Sequence, residues 1–531
     1  MRSLLGRFHR PMSRGLVNNM LTMNNLGDGS TLSLDFTTMG GVLDPRLTFS
    51  RASGGTYVWS DGYIYGVDSA TSASLAIGTG SKSVTLTATA NVDRRFQVGQ
   101  TVYFSSGANN MNGLVTAYNA STQVITINAT ATTGSGSFTS WFVGNASPRF
   151  DYSPTNIGEP RGLLIEGSGT TINNYGEAFD NAAWTASQID KTGMTTSQTD
   201  PANGTNARIL KADANAGRHA LYQITGTNPG TGTLTVWAKA KELGFATLQL
   251  ANAFESKSVV VTFDLATGAT SGVVANSMTH VASDAVQFKD GWWRLRLTAT
   301  LTVGAVPDDR MLPWIGLANA SGSAGRSFTA SGSGIYIYGA QLEAGSGASS
   351  YIPTGASTVT RTGDYLLSAS SSGASRTTEF SLNDLAPGIS ALNEHTVLWT
   401  YGRDPNNKRE YPATVYARTN ANTVRIDMRD FTGTTVMAST QTRTVQTVTV
   451  GTASKVKIAL AQNTSAYPIS AINGTSATLT SGVIDSALGL QWVQLGNTSV
   501  VAASFNPIWA QQLKLYPTQL TAAQLQTLTA P

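Results

Sequence analysis

Cysteine is absent from all 531 residues. The chain therefore has no disulfide framework, thiolate metal site or cysteine nucleophile, and packing and polar contacts must supply its stability. Histidine occurs four times, singly at His9, His219, His280 and His395, and no HExxH or HxxxH spacing sets two imidazoles on one face. No metal and no other cofactor is expected. Charge is scarce as well: 12% of residues are charged, about half the roughly 25% usual in soluble proteins. The longest apolar stretches fall far short of the roughly 18 to 20 residues a membrane helix needs, so membrane insertion is not expected. Helical periodicity is nearly missing, and no heptad run is long enough for a coiled-coil stalk.

What is present points to strands. Ser and Thr make up roughly 23% of the chain and Gly supplies 53 residues more, so polarity comes from hydroxyls and backbone rather than from charge. Hydrophobic residues reach 41% with 8% aromatic, enough to build cores and to exclude disorder for the bulk of the chain. Period-two alternation is frequent. In residues 294–303, Leu295, Leu297, Ala299, Leu301 and Val303 share one face, while Arg294, Arg296, Thr298, Thr300 and Thr302 share the other, predicting a strand with one core face and one wet face. The same alternation recurs at Val84 and Leu86, at Val259, Val261, Phe263 and Leu265, at Val456, Ile458 and Leu460, and at Leu513 and Leu515. Turn signals such as Ala266-Thr267-Gly268 and Asn473-Gly474 separate these runs. The fold class is all-β and multidomain. One helix is expected, behind the capping box Thr521-Ala522-Ala523-Gln524 and ahead of Leu525 and Leu528.

The formal net charge of +4 has a local origin. Arg2, Arg7, Arg10 and Arg14 stand in the first 14 positions with no acidic residue among them, so the remaining 31 basic residues equal the 31 acidic ones. The segment lacks the continuous apolar run and small-residue cleavage site of a secretory signal. With Leu4, Leu5, Phe8 and Leu16 it reads as an arm that orders on a partner protein; nucleic acid is not an expected partner.

Several motifs occur in a recognisable order. Leu34-Asp35-Phe36-Thr37-Thr38 precedes Leu43-Asp44-Pro45-Arg46-Leu47-Thr48-Phe49-Ser50-Arg51-Ala52-Ser53, and later come Pro148-Arg149-Phe150-Asp151-Tyr152 and Arg161-Gly162-Leu163-Leu164-Ile165-Glu166. Further on stand Leu234-Thr235-Val236-Trp237, Asp290-Gly291-Trp292-Trp293-Arg294, Ile335-Tyr336-Ile337-Tyr338, Ser350-Tyr351-Ile352-Pro353-Thr354 and Thr360-Arg361. This order resembles a family of tailed-bacteriophage virion proteins, the head-spike and tail-fibre subunits, in which a carbohydrate-binding-module-like jelly roll follows the lead-in motifs. Phe96-Gln97-Val98-Gly99 and Met111-Asn112-Gly113 resemble a small β module that recurs in phage fibres, and the last segment resembles a concanavalin- or laminin-G-like sandwich. The resemblance implies an N-terminal docking arm at 1–31, lead-in segments at 32–68 and 146–175, and a small inserted β-barrel-like module at 69–145. It further implies a jelly-roll β-sandwich at 176–343, a Gly/Ser-rich linker at 344–362 and a concanavalin-like β-sandwich at 363–531.

The function so implied is that of a structural subunit of a phage appendage, located on the virion. Arg2, Arg7, Phe8, Arg10 and Arg14 would dock it to other virion proteins (portal, adaptor, capsid or tail subunits), and homotrimerisation is expected. Lectin-like sandwiches add contact with a host-surface glycan, which needs exposed aromatics and a polar rim. The candidates are Tyr336 and Tyr338, which alternate with Ile335 and Ile337, the neighbours Trp292 and Trp293, and, in the last segment, Trp399 and Trp492 with Tyr401 and Trp509 as further candidates. The alternative is a tailspike-type enzyme that degrades host polysaccharide, which needs two carboxylates flanking a glycosidic bond. Glutamate appears only from Glu159 onward, Glu166 reads as structural, and Asp427 and Asp430 with Arg425 and Arg429 read as a solvated strand end. A non-enzyme is expected. A secreted cellular adhesin would need an export signal.

Overall fold

The computed structural model describes Ser30 to Pro531 except residues 31, 40–42, 45, 52, 67–68, 87–95, 97, 107–108, 120, 193, 195–197, 303–309, 330–331, 370–374, 384–394, 403–412, 419–422, 430–441, 450–454, 464–468, 479–491 and 497–506. The regular secondary structure of the described residues is almost wholly antiparallel strand, in five larger sheets and three two-stranded ones. The expected all-β, multidomain class is observed. One α-helix, Ala522–Thr529, stands among the described residues, and its N-terminus carries the predicted reciprocal cap between Thr521 and Gln524. Leu525 on that helix packs on Ala459, Ala461 and Ala471.

A six-stranded sheet over residues 69–145 pairs only within itself, running from Ser69–Thr71 through Trp141–Asn145, Thr101–Ser106, Asn109–Asn119 and Val124–Thr133 to Gly80–Thr85. Its own core gathers Val84, Val102, Phe104, Ile125, Ile127 and Trp141. Residues 169–361 form two stacked sheets, of seven and six strands. Inward alternation builds the core between them: Leu295, Leu297, Ala299 and Leu301 meet Val259, Val261, Phe263 and Leu265. Gly268, with φ +74°, turns the chain where an added Cβ would stand 2.3 Å from the Trp293 ring, so that turn requires glycine.

The outward face of the strand Trp293–Thr300 is not wet. Arg296 is 8% exposed and Thr298 fully buried, and Thr298 and Thr233 share a hydroxyl hydrogen bond of 2.9 Å. Period-two alternation assigns residues to faces but is silent on what covers the second face. Here residues 344–352 cover part of it. That stretch has the composition of a linker, yet Ser346, Tyr351 and Ile352 are buried, and Val359–Arg361 continues the seven-stranded sheet by pairing with Gly169–Thr171.

The lead-in segments are strands of the C-terminal sheets. Leu32–Asp35 and Pro160–Ile165 both pair with Ile508–Tyr516 in the eight-stranded sheet. Leu47–Ser50 pairs with Tyr365–Ala369 in the second, seven-stranded sheet of that half. The C-terminal unit therefore draws strands from residues 32–50 and 149–165, across the whole of the intervening jelly-roll-like unit.

Candidate functional site

Four stretches of the chain, at residues 51, 149, 166 and 361–364, supply one buried ion cluster. Arg51 Nη1 donates to Asp364 Oδ1 at 2.8 Å, across 313 positions. Arg149 Nη2 reaches Asp364 Oδ2 at 2.5 Å and Arg149 Nη1 stands 2.6 Å from Glu166 Oε2. Arg361 Nη2 lies 3.6 Å from the same Glu166 oxygen and donates to the Gly167 carbonyl at 2.7 Å. Ser350 adds its backbone N–H and its hydroxyl to Glu166, at 2.6 and 2.7 Å. All five ionic side chains are at most 2% exposed. Burial alone would push the Glu166 carboxyl up, but Arg361, Arg149 and Ser350 together hold it down at about 2. The Arg149 guanidinium, facing two carboxylates, is held still more firmly protonated. Arg51 has one carboxylate and two neighbouring arginines, and burial with that repulsion lowers it to about 10.

Beside this cluster lies a cleft of about 400 Å³ between the outer face of the seven-stranded jelly-roll-like sheet and the start of the closing strand Ile508–Tyr516. Trp237, Arg294, Arg296 and Asp284 line one wall and Asp151, Arg161, Glu166 and Trp509 the other. The Arg161 guanidinium stacks 3.4 Å from the Trp509 ring centroid, and Trp509 Nε1 donates to Asp151 Oδ2 at 2.5 Å. Val58 N–H donates to the other Asp151 oxygen at 2.5 Å. Burial pushes the Asp151 carboxyl up, opposed by Arg161 and these donors. Asp284 is held by Arg296 through Nε at 3.0 Å and through Nη2. Such a site offers aromatic surface, fixed polar groups and arginine donors within the usual size of ligand clefts.

Of the anticipated aromatic residues, Trp509 lines the cleft, while Tyr336, Tyr338, Trp292 and Trp293 lie elsewhere. Tyr338 is 1% exposed; its hydroxyl donates to Glu177 Oε1 at 3.0 Å and its ring packs with Trp237 and Tyr351. Tyr336 is half-buried against that cluster. Trp292 is 1% exposed, packed under Val58 and Ile64 of the lead-in hairpin, and donates to the Thr199 carbonyl at 3.0 Å. Trp293 belongs to the jelly-roll-like core on the opposite face. Tyr338, Trp292 and Trp293 are therefore not displayed to solvent, which corrects the expectation of an exposed Tyr336 and Tyr338 face: the lead-in hairpin occupies it. Trp399 pairs through its backbone with Val415 and Trp492 with Gly402; their side chains lie outside the described residues, as do Arg2, Arg7, Phe8, Arg10 and Arg14.

Periodicity did not single out Arg51, Asp151, Arg161, Arg294, Arg361 or Asp364 as site residues. All but Asp364 stand within the ordered motifs, and that position was the available signal. No group of three or more His, Asp or Glu side chains suited to a metal ion occurs among the described residues.

Fold and cleft define a multidomain all-β protein with an arginine-rich cleft between two units. No family model matches the chain, and no curated protein matches it. Among solved structures it is similar to the binding domain of botulinum neurotoxin serotype D, at 10% identity and TM-score 0.22 over 32% of this chain and 40% of that one. The botulinum neurotoxin type G receptor-binding domain gives 9% and 0.22 over 31% and 39%. The NanB sialidase of Streptococcus pneumoniae gives 13% and 0.21 over 29% and 24%. The chain thus spans two fifths or less of these proteins' length, and at such scores the likeness carries no argument about site or activity.

Proposed function

We propose that the chain is a structural subunit of a tailed-phage virion appendage, a head spike or tail fibre, and that the cleft between its two larger units holds a host-surface glycan. The observation that supports this reading best is the buried ion cluster. Arg51, Arg149, Glu166 and Arg361 come one each from motifs that resemble the phage family in order, and all converge on one joint beside the cleft. The motifs then act as parts of one scaffold, and the scaffold holds Trp509, Arg161 and Trp237 in fixed positions. The basic arm at 1–31 docks the subunit to other virion proteins, and three copies assemble into the appendage.

Labelling the subunit on purified particles tests the first half. We expect label on a particle appendage, a trimer mass in solution, and particles without label when the arm is deleted from an otherwise folded chain. A monomer that never joins particles would overturn the reading.

A glycan-degrading reading rests on one feature, the raised Asp151 carboxyl in the cleft, an environment that suits a general acid. Against it, both Asp151 oxygens already accept from Val58 and Trp509, while Glu166 and Asp284 are committed to arginines. That leaves no second carboxylate lining the cleft, among the described residues, to serve as base or nucleophile. Depolymerisation of host polysaccharide by the purified protein would replace binding with catalysis.

A further inference from the structure

Among the described residues, the cleft holds one arginine that its own carboxylates do not pair. Asp284 is taken by Arg296, Glu166 by Arg149 and Arg361, and Asp151 faces Arg161 at 3.8 Å. Arg294 remains. Both of its hydrogen bonds leave from Nη2 and end on neutral oxygens, the Ser349 carbonyl at 2.7 Å and Thr235 Oγ1 at 3.2 Å. Its Nε is buried with no partner. The guanidinium stands 4.8 Å from the Trp237 ring centroid, on the cleft wall. Glu343 and Glu166 are near enough to favour its charged form without forming an ion pair, and burial outweighs them.

A cation partly removed from water without an ion-pair partner is costly, and a ligand that supplies the counter-charge offsets that cost. With Nη2 committed and Nε buried, Nη1 is the donor left for a ligand, and a charged carboxylate oxygen there makes a stronger hydrogen bond than a neutral hydroxyl. Trp509, half-buried in the same cleft, offers apolar surface that a sugar ring covers with its C–H face. We propose that Arg294 recognises the carboxylate of an acidic sugar, a hexuronic or sialic acid unit, so that the cleft selects acidic over neutral glycans. This inference rests on the reading of the cleft as a glycan site.

An array of acidic and neutral bacterial surface glycans, probed with the full-length protein, tests it, followed by calorimetry on the strongest acidic glycan and its carboxyl-reduced counterpart. We expect acidic glycans to dominate, with at least tenfold weaker binding of the reduced form. Arg294→Met should abolish that preference and bind both forms alike, and Arg294→Lys should keep part of it. A thermal midpoint for Arg294→Met no lower than the parent's shows that the fold is intact, because the change removes a half-buried cation that no carboxylate pairs. Equal binding of acidic and reduced forms by the parent would overturn the acidic preference and leave the glycan reading standing. Binding by no glycan on the array would overturn both. Acidic binding unchanged by Arg294→Met would place the carboxylate on other residues and end the proposal.

Discussion

Asp364 and Glu166 keep three arginines ionised out of water, and each arginine depends on a carboxylate that no solvent can replace. Breaking a buried pair at one end costs about 3–5 kcal/mol, because the surviving charge is left uncompensated. Asp364→Asn is therefore expected to lower the unfolding free energy by about 3 kcal/mol or more, read as a shift in the urea midpoint. The pH dependence has a definite sign. Glu166 is held at about 2 against 4.5 in the free side chain, so its contribution is full above pH 4.5 and is lost as pH falls towards 2. Asp151 and Glu343, whose carboxyls burial raises, act in the opposite sense. Glu166→Gln should flatten the stability slope between pH 4.5 and 2, and an unchanged slope would assign acid sensitivity to other groups. Residue types at these positions were visible in the motifs. Their joint burial was not, because a composition poor in charge suggests a neutral surface and says nothing of which few charges meet.

Strand alternation was the legible part of each element. Leu295, Leu297, Ala299 and Leu301 sit in the core where period two places them, as do Val456, Ile458 and Leu460. What the elements cover on their other face was illegible, because the covering segments come from far along the chain: Val58 and Ile64 pack over the Tyr338 and Trp292 face. Gly162 shows how closely such a segment is fitted. Its φ is +110° beside an irregularity in the strand pairing, and an added Cβ would stand 2.1 Å from the Ala510 carbonyl. Gly162→Ala should separate Pro160–Ile165 from the closing strand and cost about 1–3 kcal/mol or more, as strained backbone sites do. Gly226→Ala has nothing within 4 Å of the added Cβ and should change stability by less than about 0.5 kcal/mol. Equal effects of the two changes in urea unfolding would refute this fit.

At the scale of the molecule, the C-terminal unit is discontinuous. The closing strand Ile508–Tyr516 needs Leu32–Asp35 and Pro160–Ile165 beside it. Residues 363–531 expressed alone would leave those pairing positions open, and exposed strand edges promote aggregation; a soluble, cooperatively unfolding fragment would contradict that dependence. Removal of 69–145, whose sheet pairs only within itself, should leave the remaining units folded, with the same urea midpoint. The order of motifs announced the lead-in segments, yet their role as strands of a unit hundreds of residues later could not be read from spacing, because pairing between distant strands leaves no local periodicity. The joint they create is what positions the cleft. The most direct measurement is a structure of the full-length protein soaked with a bound glycan found on the array. Sugar density is expected against Trp509 with a carboxylate at Arg294; density on another face, with this cleft empty, would contradict the reading.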